Sequence, residues 1–445
     1  MRAKTLQLSG WGRRPVAQAD AYRPEKLSEA KAVLTTTETS LLARGNGRSY
    51  GDQALNSGGV VMLTERLDRL MSFDAETGEL AAEAGISLRD IQRLFVPRGW
   101  ILPVSPGTGF ATLGGAIAND VHGKNHDHVG SFGSHVTWIE LLLASGEVKR
   151  ITAESDPALF AATLGGCGLT GVILSAGVRL AKAPSNAYRV TERRIGDLTS
   201  FMAALEEARH NSAYSVGWID GMARGAHLGR GVLETADFAP TSLPEQQKHA
   251  KRVPFDFPGF ALNGLSVSLF NKFYDRRVPV TGRERTTYYS NFLYPLDALR
   301  DWNKIYGKKG FVQFQCVIPD VTAAEGLKWL LEEISAARAA SFLAVLKTLG
   351  GDGRGMLSFP TRGYTLALDF PWKDASTTDL MRRLERITLN HGGRIYLAKD
   401  SALSAEGFAE MYPRLGEFRS VLEEVDPQGR FASDQSRRLK IRSAS

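Results

Sequence analysis

The segments able to do chemistry are rich in glycine. Arg44-Gly45-Asn46-Gly47-Arg48-Ser49-Tyr50-Gly51-Asp52 follows the apolar pair Leu41-Leu42 and carries three glycines. Glycine reaches positive φ at no steric cost, so successive N–H groups there can form a concave nest for an anion such as a pyrophosphate, with Arg48 and Ser49 as further donors. A plain tight turn is the competing reading, because such glycine spacings arise readily by chance in a glycine-rich chain. Pro106-Gly107-Thr108-Gly109 and the run from Leu113 to Asn125, which includes Gly114, Asn119 and Gly123, are small-residue segments nearly throughout. With no side chain to fill the space, something flat or another backbone must approach closely. Leu164-Gly165-Gly166-Cys167-Gly168-Leu169-Thr170-Gly171-Val172-Ile173 is another such turn, entering a strand. No base stands next to Cys167, which favours a buried thiol over a nucleophile.

His122, His126, His128 and His135 are four of the chain's eight histidines. His122 and His126 have the HxxxH spacing of a zinc site, but Gly123 and Asn125 between them are poor helix formers and the general-base glutamate of HExxH is absent. A histidine and Lys124 that position a substrate or stabilise charge beside a redox cofactor fit the pattern better, and no metal is expected.

The elements that must hold these segments follow from periodicity. Gly58 to Leu63, Trp138 to Leu143 and Gly171 to Leu174 read as buried strands, and Leu88 to Phe95 as a short helix opened by Ser87. Further on, Val312, Phe314, Cys316 and Ile318 alternate with Gln313, Gln315 and Val317, one face core and the other partly polar. Thr322 with Glu325 makes a capping-box pattern before a helix marked by Leu327, Leu330, Leu331 and Ile334. Phe342 to Leu349 and Tyr364 to Phe370 read as strands, Ser376 to Leu389 as a helix ended by Gly392-Gly393, and Arg394 to Lys399 as a last strand. This order predicts an antiparallel sheet covered by helices on one face, and the class α+β. Glu234 to Gly259, with four prolines and few apolar runs, reads as a long loop or lid. No internal repeat or low-complexity segment is visible.

A chain of 445 residues with 43% apolar content suits two or three domains with real cores and excludes disorder. Its 45 glycines, against a background of roughly 7%, are the compositional outlier. Of the net charge of +7, a large part lies between Arg430 and Ser445, as a tail for an acidic surface or as a solvated terminus. The remainder is too balanced for a nucleic-acid binder. Two cysteines point to a reducing compartment. With no apolar leader and no span of about 18 apolar residues, the expected location is cytoplasmic, with any contact at the inner membrane peripheral.

The glycine segments, in this order and spacing, resemble the PCMH-type FAD-binding domain of the vanillyl-alcohol oxidase superfamily. Gly47 to Asp52, His122 to His126 with Gly130-Ser131-Phe132-Gly133, Ala398-Lys399-Asp400-Ser401, Met411-Tyr412-Pro413-Arg414, Asp426-Pro427 and Phe431-Ala432-Ser433-Asp434 are similar to the decaprenylphosphoryl-β-D-ribose oxidase family, over nearly the whole chain. The resemblance implies a two-subdomain FAD-binding domain over residues 1–186 and a substrate domain over 187–402 with a mobile loop near 234–290. It also implies a segment, 403–445, that returns to the FAD-binding domain. It places Gly45, Asn46, Gly47, Arg48, Ser49 and Tyr50 around the FAD pyrophosphate, and Pro106, Gly107, Thr108, Gly114, Asn119, His122 and Gly123 along the isoalloxazine and ribityl chain. Cys167, Gly168, Gly171 and Ile173 close over the adenine side. Tyr396 and Lys399 stand beside the flavin, and Lys124, Gln313, Gln315, Lys347 and Ala367 face substrate.

The implied reaction is oxidation of the 2'-hydroxyl of a polyprenylphosphoryl-β-D-ribose to a ketone by hydride transfer to flavin N5, with the proton passing to Lys399, Lys124 or His122. An NADH-dependent short-chain reductase is the implied pathway partner. Strand parity puts Tyr396 and Lys399 on opposite faces, so both reach the site only with a bulge or a strand end. Arg48 stands near the histidine through which many superfamily members tether FAD, implying non-covalent FAD. Ala367 lies in the strand where the mycobacterial enzymes carry a flavin-facing cysteine. An alditol or aldonolactone oxidase of the same superfamily is the nearest rival. A non-catalytic flavoprotein and a histidine-site metalloprotein are more distant ones.

Overall fold

The computed structural model describes residues 2–245, 250–259, 262–339 and 342–442. In the first half, Lys4–Ser9, Val16–Tyr22, Val60–Leu63 and Leu41–Arg44 form a four-stranded sheet in that spatial order. Leu41–Arg44 and Val60–Leu63 pair in parallel, which requires a crossover, and that crossover is the segment carrying the first glycine turn. Val60–Leu63 is buried on both faces: Val60 and Met62 meet the Leu27–Thr36 helix, and Val61 and Leu63 meet Ala19 and Ala21. Leu70–Phe73, Glu79–Glu83, Val172–Arg179, Val136–Leu142 and Val148–Ile151 make an antiparallel five-stranded sheet. The Leu88–Phe95 helix beside it is capped as expected, with Ser87 Oγ accepting from the Asp90 N–H.

The second half is one antiparallel sheet of eight strands, ordered Arg283–Tyr288, Ala187–Ile195, Gly231–Phe238, Tyr214–Ile219, Ala344–Leu349, Gly363–Pro371, Phe311–Pro319 and Arg394–Ile395. Each set of four, read from its outer edge, runs fourth, first, third, second in its own chain order. Two strand–helix–strand–strand–helix–strand units are therefore joined through their second strands, where Gly217 faces Leu346 and Trp218 faces Val345. The duplication is one of topology and leaves no repeat in the sequence. The Leu198–Asn211, Ala323–Ala337 and Ala375–Asn390 helices share a core with one face of the sheet, including Val312, Phe314, Cys316 and Ile318. The fourth helix, Gly264–Arg276, lies on the other face: the Tyr274 ring packs on Trp218 at 4.6 Å and Asp275 pairs with Arg194 at 2.6 Å. The class is α+β, as expected.

Several expectations are corrected. Glu234 is not in a loop but inside the Gly231–Phe238 strand, paired with Val216 and Glu192, and the proline-bearing stretch starts beyond it. Residues 246–249 of that stretch lie outside the described residues. Thr322 does not build a capping box; its hydroxyl donates to the His391 carbonyl at 2.7 Å and ties two helices together. The Arg394 strand ends at Ile395 instead of Lys399, and the chain turns, with Lys399 N–H donating to the Tyr396 carbonyl at 3.0 Å. That strand end removes the parity conflict between Tyr396 and Lys399. Among the described residues the basic tail is largely held down by its own charges, although Arg437 and Lys440 stay exposed. Arg430 donates to the Leu34 and Thr37 carbonyls, Arg438 bridges Asp52 and Asp400, and Arg442 pairs with Asp426. Phe431 also bridges to Leu41, so the described tail residues around 430–442 are anchored on the first half.

Candidate active site

A cavity of about 540 Å³ lies between the glycine turns of the first half and the sheet face opposite the three shared-core helices. The residues that the resemblance assigns to cofactor or substrate all line it, from 45–50, 106–108, Gly114, Asn119, 122–124, Cys167, Gly168, Gly171 and Ile173 in the turns to Gln313, Gln315, Lys347, Ala367, Tyr396 and Lys399 on the sheet side, whereas Gly51, His126, His128 and His135 do not. Pairing explains the sheet's share. Gln313 faces Asp369, Gln315 faces Ala367 and Ala367 faces Val345, so alternate residues of three neighbouring strands point the same way.

The turns are shaped to receive a ligand. A Cβ at Gly107 or at Gly168 would meet no atom within 4 Å, so the backbone borders open space at both. Gly51 serves packing instead, since a Cβ there would lie 2.1 Å from the Asp400 carbonyl oxygen. Arg44 likewise turns away, donating to the Ala54 and Ser9 carbonyls at 2.7 Å and stiffening the loop. The Arg48 guanidinium is held between the Trp11 and Phe110 rings, 4.2 and 4.7 Å from their centroids. Among the described residues, Arg48 Nε, Asn119 Oδ1 and His122 Nδ1 are buried on the cavity wall without a hydrogen-bond partner. Native proteins rarely leave such groups unmet, so they await a polar ligand. Open glycine backbone, a cation for an anion and unmet polar atoms, two nitrogens and the Asn119 amide oxygen, along one cavity fit FAD. Arg48 cannot form the histidine tether, which agrees with FAD held non-covalently.

His122 packs against both the Phe359 and Tyr396 rings, which stack on each other, and Gln315 Nε2 donates to its Nε2 at 3.0 Å and to Thr365 Oγ1 at 3.1 Å. Burial, reinforced by Lys347, His126 and Lys399, holds its pKa well below 6.5, so the ring is neutral with its proton on Nδ1. Three lysines share the cavity. Burial lowers Lys124 and Lys347 to about 8 each, and Lys399 to about 7 against the opposing pull of Asp369. Lys124 Nζ donates to the Phe292 carbonyl and lies over the Phe292 ring. Lys399 Nζ lies 3.8 Å from the centroid of the Tyr50 ring. Tyr396 donates its hydroxyl hydrogen to the Asn119 carbonyl at 3.1 Å.

Cys167 is buried, accepts from Gln53 Nε2 at 3.0 Å and has its thiol pushed up to about 12 by burial, so it is a wall and not a nucleophile. The histidine cluster is dispersed: His126 Nδ1 accepts from the Gly350 N–H, His128 meets the Ser212 carbonyl and His135 the Val129 carbonyl. Among the described residues no group of three or more His, Cys, Asp or Glu could hold a metal ion.

Sequence reasoning missed Asp369, Asp297 and Trp11. Asp369 is buried beneath the cavity, accepting from Gln313 Nε2 and from the Tyr306 hydroxyl, and burial raises its pKa to about 7. It shares the strand parity of Ala367, which was the available signal. Asp297 accepts from Thr108 Oγ1 at 2.7 Å and from the Gly109 N–H at 2.8 Å, fixing the second turn. It reaches that turn across 188 residues, and no local pattern marks it.

The model of the FAD binding domain matches residues 20–152, and that of D-arabinono-1,4-lactone oxidase matches residues 368–439. The decaprenylphosphoryl-β-D-ribose oxidase of Mycolicibacterium smegmatis is 37% identical over 98% of this chain and 98% of its own. An uncharacterised protein of Streptomyces coelicolor is 33% identical over 80% of this chain and all of its own length. The L-gulonolactone oxidase of Mus musculus is 25% identical over 96% of this chain and 97% of its own.

Proposed function

This chain belongs to the decaprenylphosphoryl-β-D-ribose oxidase family of FAD-dependent oxidoreductases, and we propose that it oxidises the 2'-hydroxyl of a polyprenylphosphoryl-β-D-ribose to the ketone. The observation that carries this reading is that one cavity gathers three buried lysines and a neutral histidine, His122 and Lys124 from the third glycine-rich turn and Lys347 and Lys399 from the sheet side. FAD, when bound there, supplies the two-electron acceptor for the hydrogen leaving carbon.

Lys399 is the residue we assign to take the hydroxyl proton. Its basicity is lowered to about 7, so a large fraction is a free amine at neutral pH. His122 is excluded from that role by the donor on its Nε2 and the proton on Nδ1; it offers a hydrogen bond instead. Lys124, held by the Phe292 carbonyl, supplies positive charge for an anionic substrate together with Lys347. Gln313 and Gln315 orient the sugar, and Ala367 leaves room between Gln315 and Val345. A separate NADH-dependent short-chain reductase would return the ketone to the epimeric alcohol, and the prenyl chain would rest at a membrane surface. Among the described residues no helix is long and apolar enough to cross a membrane.

A second reading, an aldonolactone oxidase, is favoured by the match of residues 368–439 to the D-arabinono-1,4-lactone oxidase model. Product analysis separates the two. The first predicts the ketone from a prenylphosphoryl ribose with a dye as electron acceptor. The second predicts peroxide from a free lactone and no such ketone.

A further inference from the structure

The Gly264–Arg276 helix buries Val267, Asn271 and Asp275 against the sheet. Its other side is apolar and uncovered: Leu265 is 72%, Leu269 60% and Phe273 76% exposed, a stripe at four-residue spacing. Val280, just past the helix, is 86% exposed. An uncovered stripe of this size calls for a partner surface. The charges beside it are Lys272 and Arg276, both exposed, and the helix's acid, Asp275, is turned inward onto Arg194. The adjoining edge of the helix is continuous with the active site, because Phe270 and Tyr274 line the cavity.

Taking the substrate to be the prenyl-phosphate sugar proposed above, we infer that this helix lies in the plane of an anionic lipid bilayer and docks the mouth of the cavity onto it. Leu265, Leu269 and Phe273 enter the boundary of the acyl chains, and Lys272 and Arg276 meet lipid phosphates. At 13 residues the helix is about 20 Å long, too short to span but suited to lie flat. An apolar face flanked by basic and no exposed acidic groups is the chemistry of an interfacial helix. With the mouth at the surface, the sugar phosphate enters the cavity while its prenyl chain stays in the bilayer.

The test uses the FAD-loaded full chain floated with vesicles of phosphatidylcholine alone or mixed with phosphatidylglycerol. The wild type should float with the mixed vesicles. Leu269→Ser with Phe273→Ser should lower the bound fraction at least about tenfold. Lys272→Gln with Arg276→Gln should reduce binding on mixed vesicles to the level on phosphatidylcholine alone. Both variants should keep the wild-type flavin spectrum, melting temperature and rate on a short, water-soluble prenylphosphoryl ribose. A wild type that stays off the mixed vesicles, or an apolar double variant that floats as well as the wild type, overturns the inference. So does a wild-type dimer that the apolar variant turns into a monomer without any change in vesicle binding, since the stripe would then cover a second copy. If the short substrate is oxidised but vesicles are ignored, the docking surface alone fails. If vesicles are bound but no prenylphosphoryl ribose is oxidised, the functional reading fails and the surface stands.

Discussion

Gln315 Nε2 and His122 Nε2 are 3.0 Å apart although 193 residues separate them in the chain, and this contact joins the sheet to the glycine-rich turn across the cavity. It leaves His122 Nδ1–H as a buried donor with no described partner, directed at the wall of the site. Gln315→Leu removes the contact and frees the imidazole to change tautomer. The expected result is a loss of about 1.5–3 kcal/mol in transition-state stabilisation, measured as kcat/KM, with the flavin still bound.

Lys399 sets a pH limb. Its pKa of about 7 and its assignment as proton acceptor require the neutral amine, so kcat/KM should rise as pH increases through about 7. Lys399→Met should lower the rate about 10²- to 10⁴-fold and flatten that limb. Retention of the limb in the variant would assign it to another group.

Acid stability should depend on His126. Burial and then the charge of Lys347 lower its pKa from 6.5 to about 4. A folded pKa below the unfolded one means that the unfolded chain binds the proton more readily. The contribution is therefore intact above pH 6.5 and is lost as pH falls towards 4, by about 3 kcal/mol. His126→Asn keeps an acceptor for the Gly350 N–H without a titrating ring, and should show a shallower fall in unfolding free energy over that window.

How much of this was open to sequence reading depends on the range of the interaction. Gln313 and Gln315 announce themselves because strand alternation is local, and the glycine turns because their composition is local. The tail was misread because the partners of Arg438, Asp52 and Asp400, are 386 and 38 residues away, and only the fold turns a run of basic residues into ion pairs. The paired four-strand units are invisible as a repeat because topology, not side-chain identity, is what recurs. The Gly264–Arg276 helix escapes the sequence reading altogether, which expects a mobile loop near 234–290, and only the sheet shows that its Val267, Asn271 and Asp275 side is the buried one.

Arg438 gives the tail a measurable role. It reaches Asp52 at 2.7 and 2.8 Å and Asp400 at 2.7 Å, and both carboxylates are buried. Arg438→Met leaves two buried acids without their cation and should destabilise the fold by about 3 kcal/mol in denaturant unfolding. Removing the described residues after Asp434 would act in the same direction.

Thiol chemistry separates wall from nucleophile. Cys167 and Cys316 are buried, with thiols pushed up to about 12, so the native protein should show no fast-reacting thiol with a chromogenic disulfide reagent. Ala367→Cys places one thiol on the cavity wall between Gln315 and Val345 and should add a single reactive equivalent, protected when FAD and a substrate analogue fill the site.

The most direct test of the central claim is the colour of the flavin under anaerobic conditions. The FAD-loaded protein is mixed with prenylphosphoryl ribose, and separately with free alditols and aldonolactones. The account predicts rapid bleaching by prenylphosphoryl ribose, with appearance of the 2'-ketone, and none by the free polyols or lactones. Bleaching by a lactone or alditol, with the prenylphosphoryl ribose leaving the flavin oxidised, would contradict it.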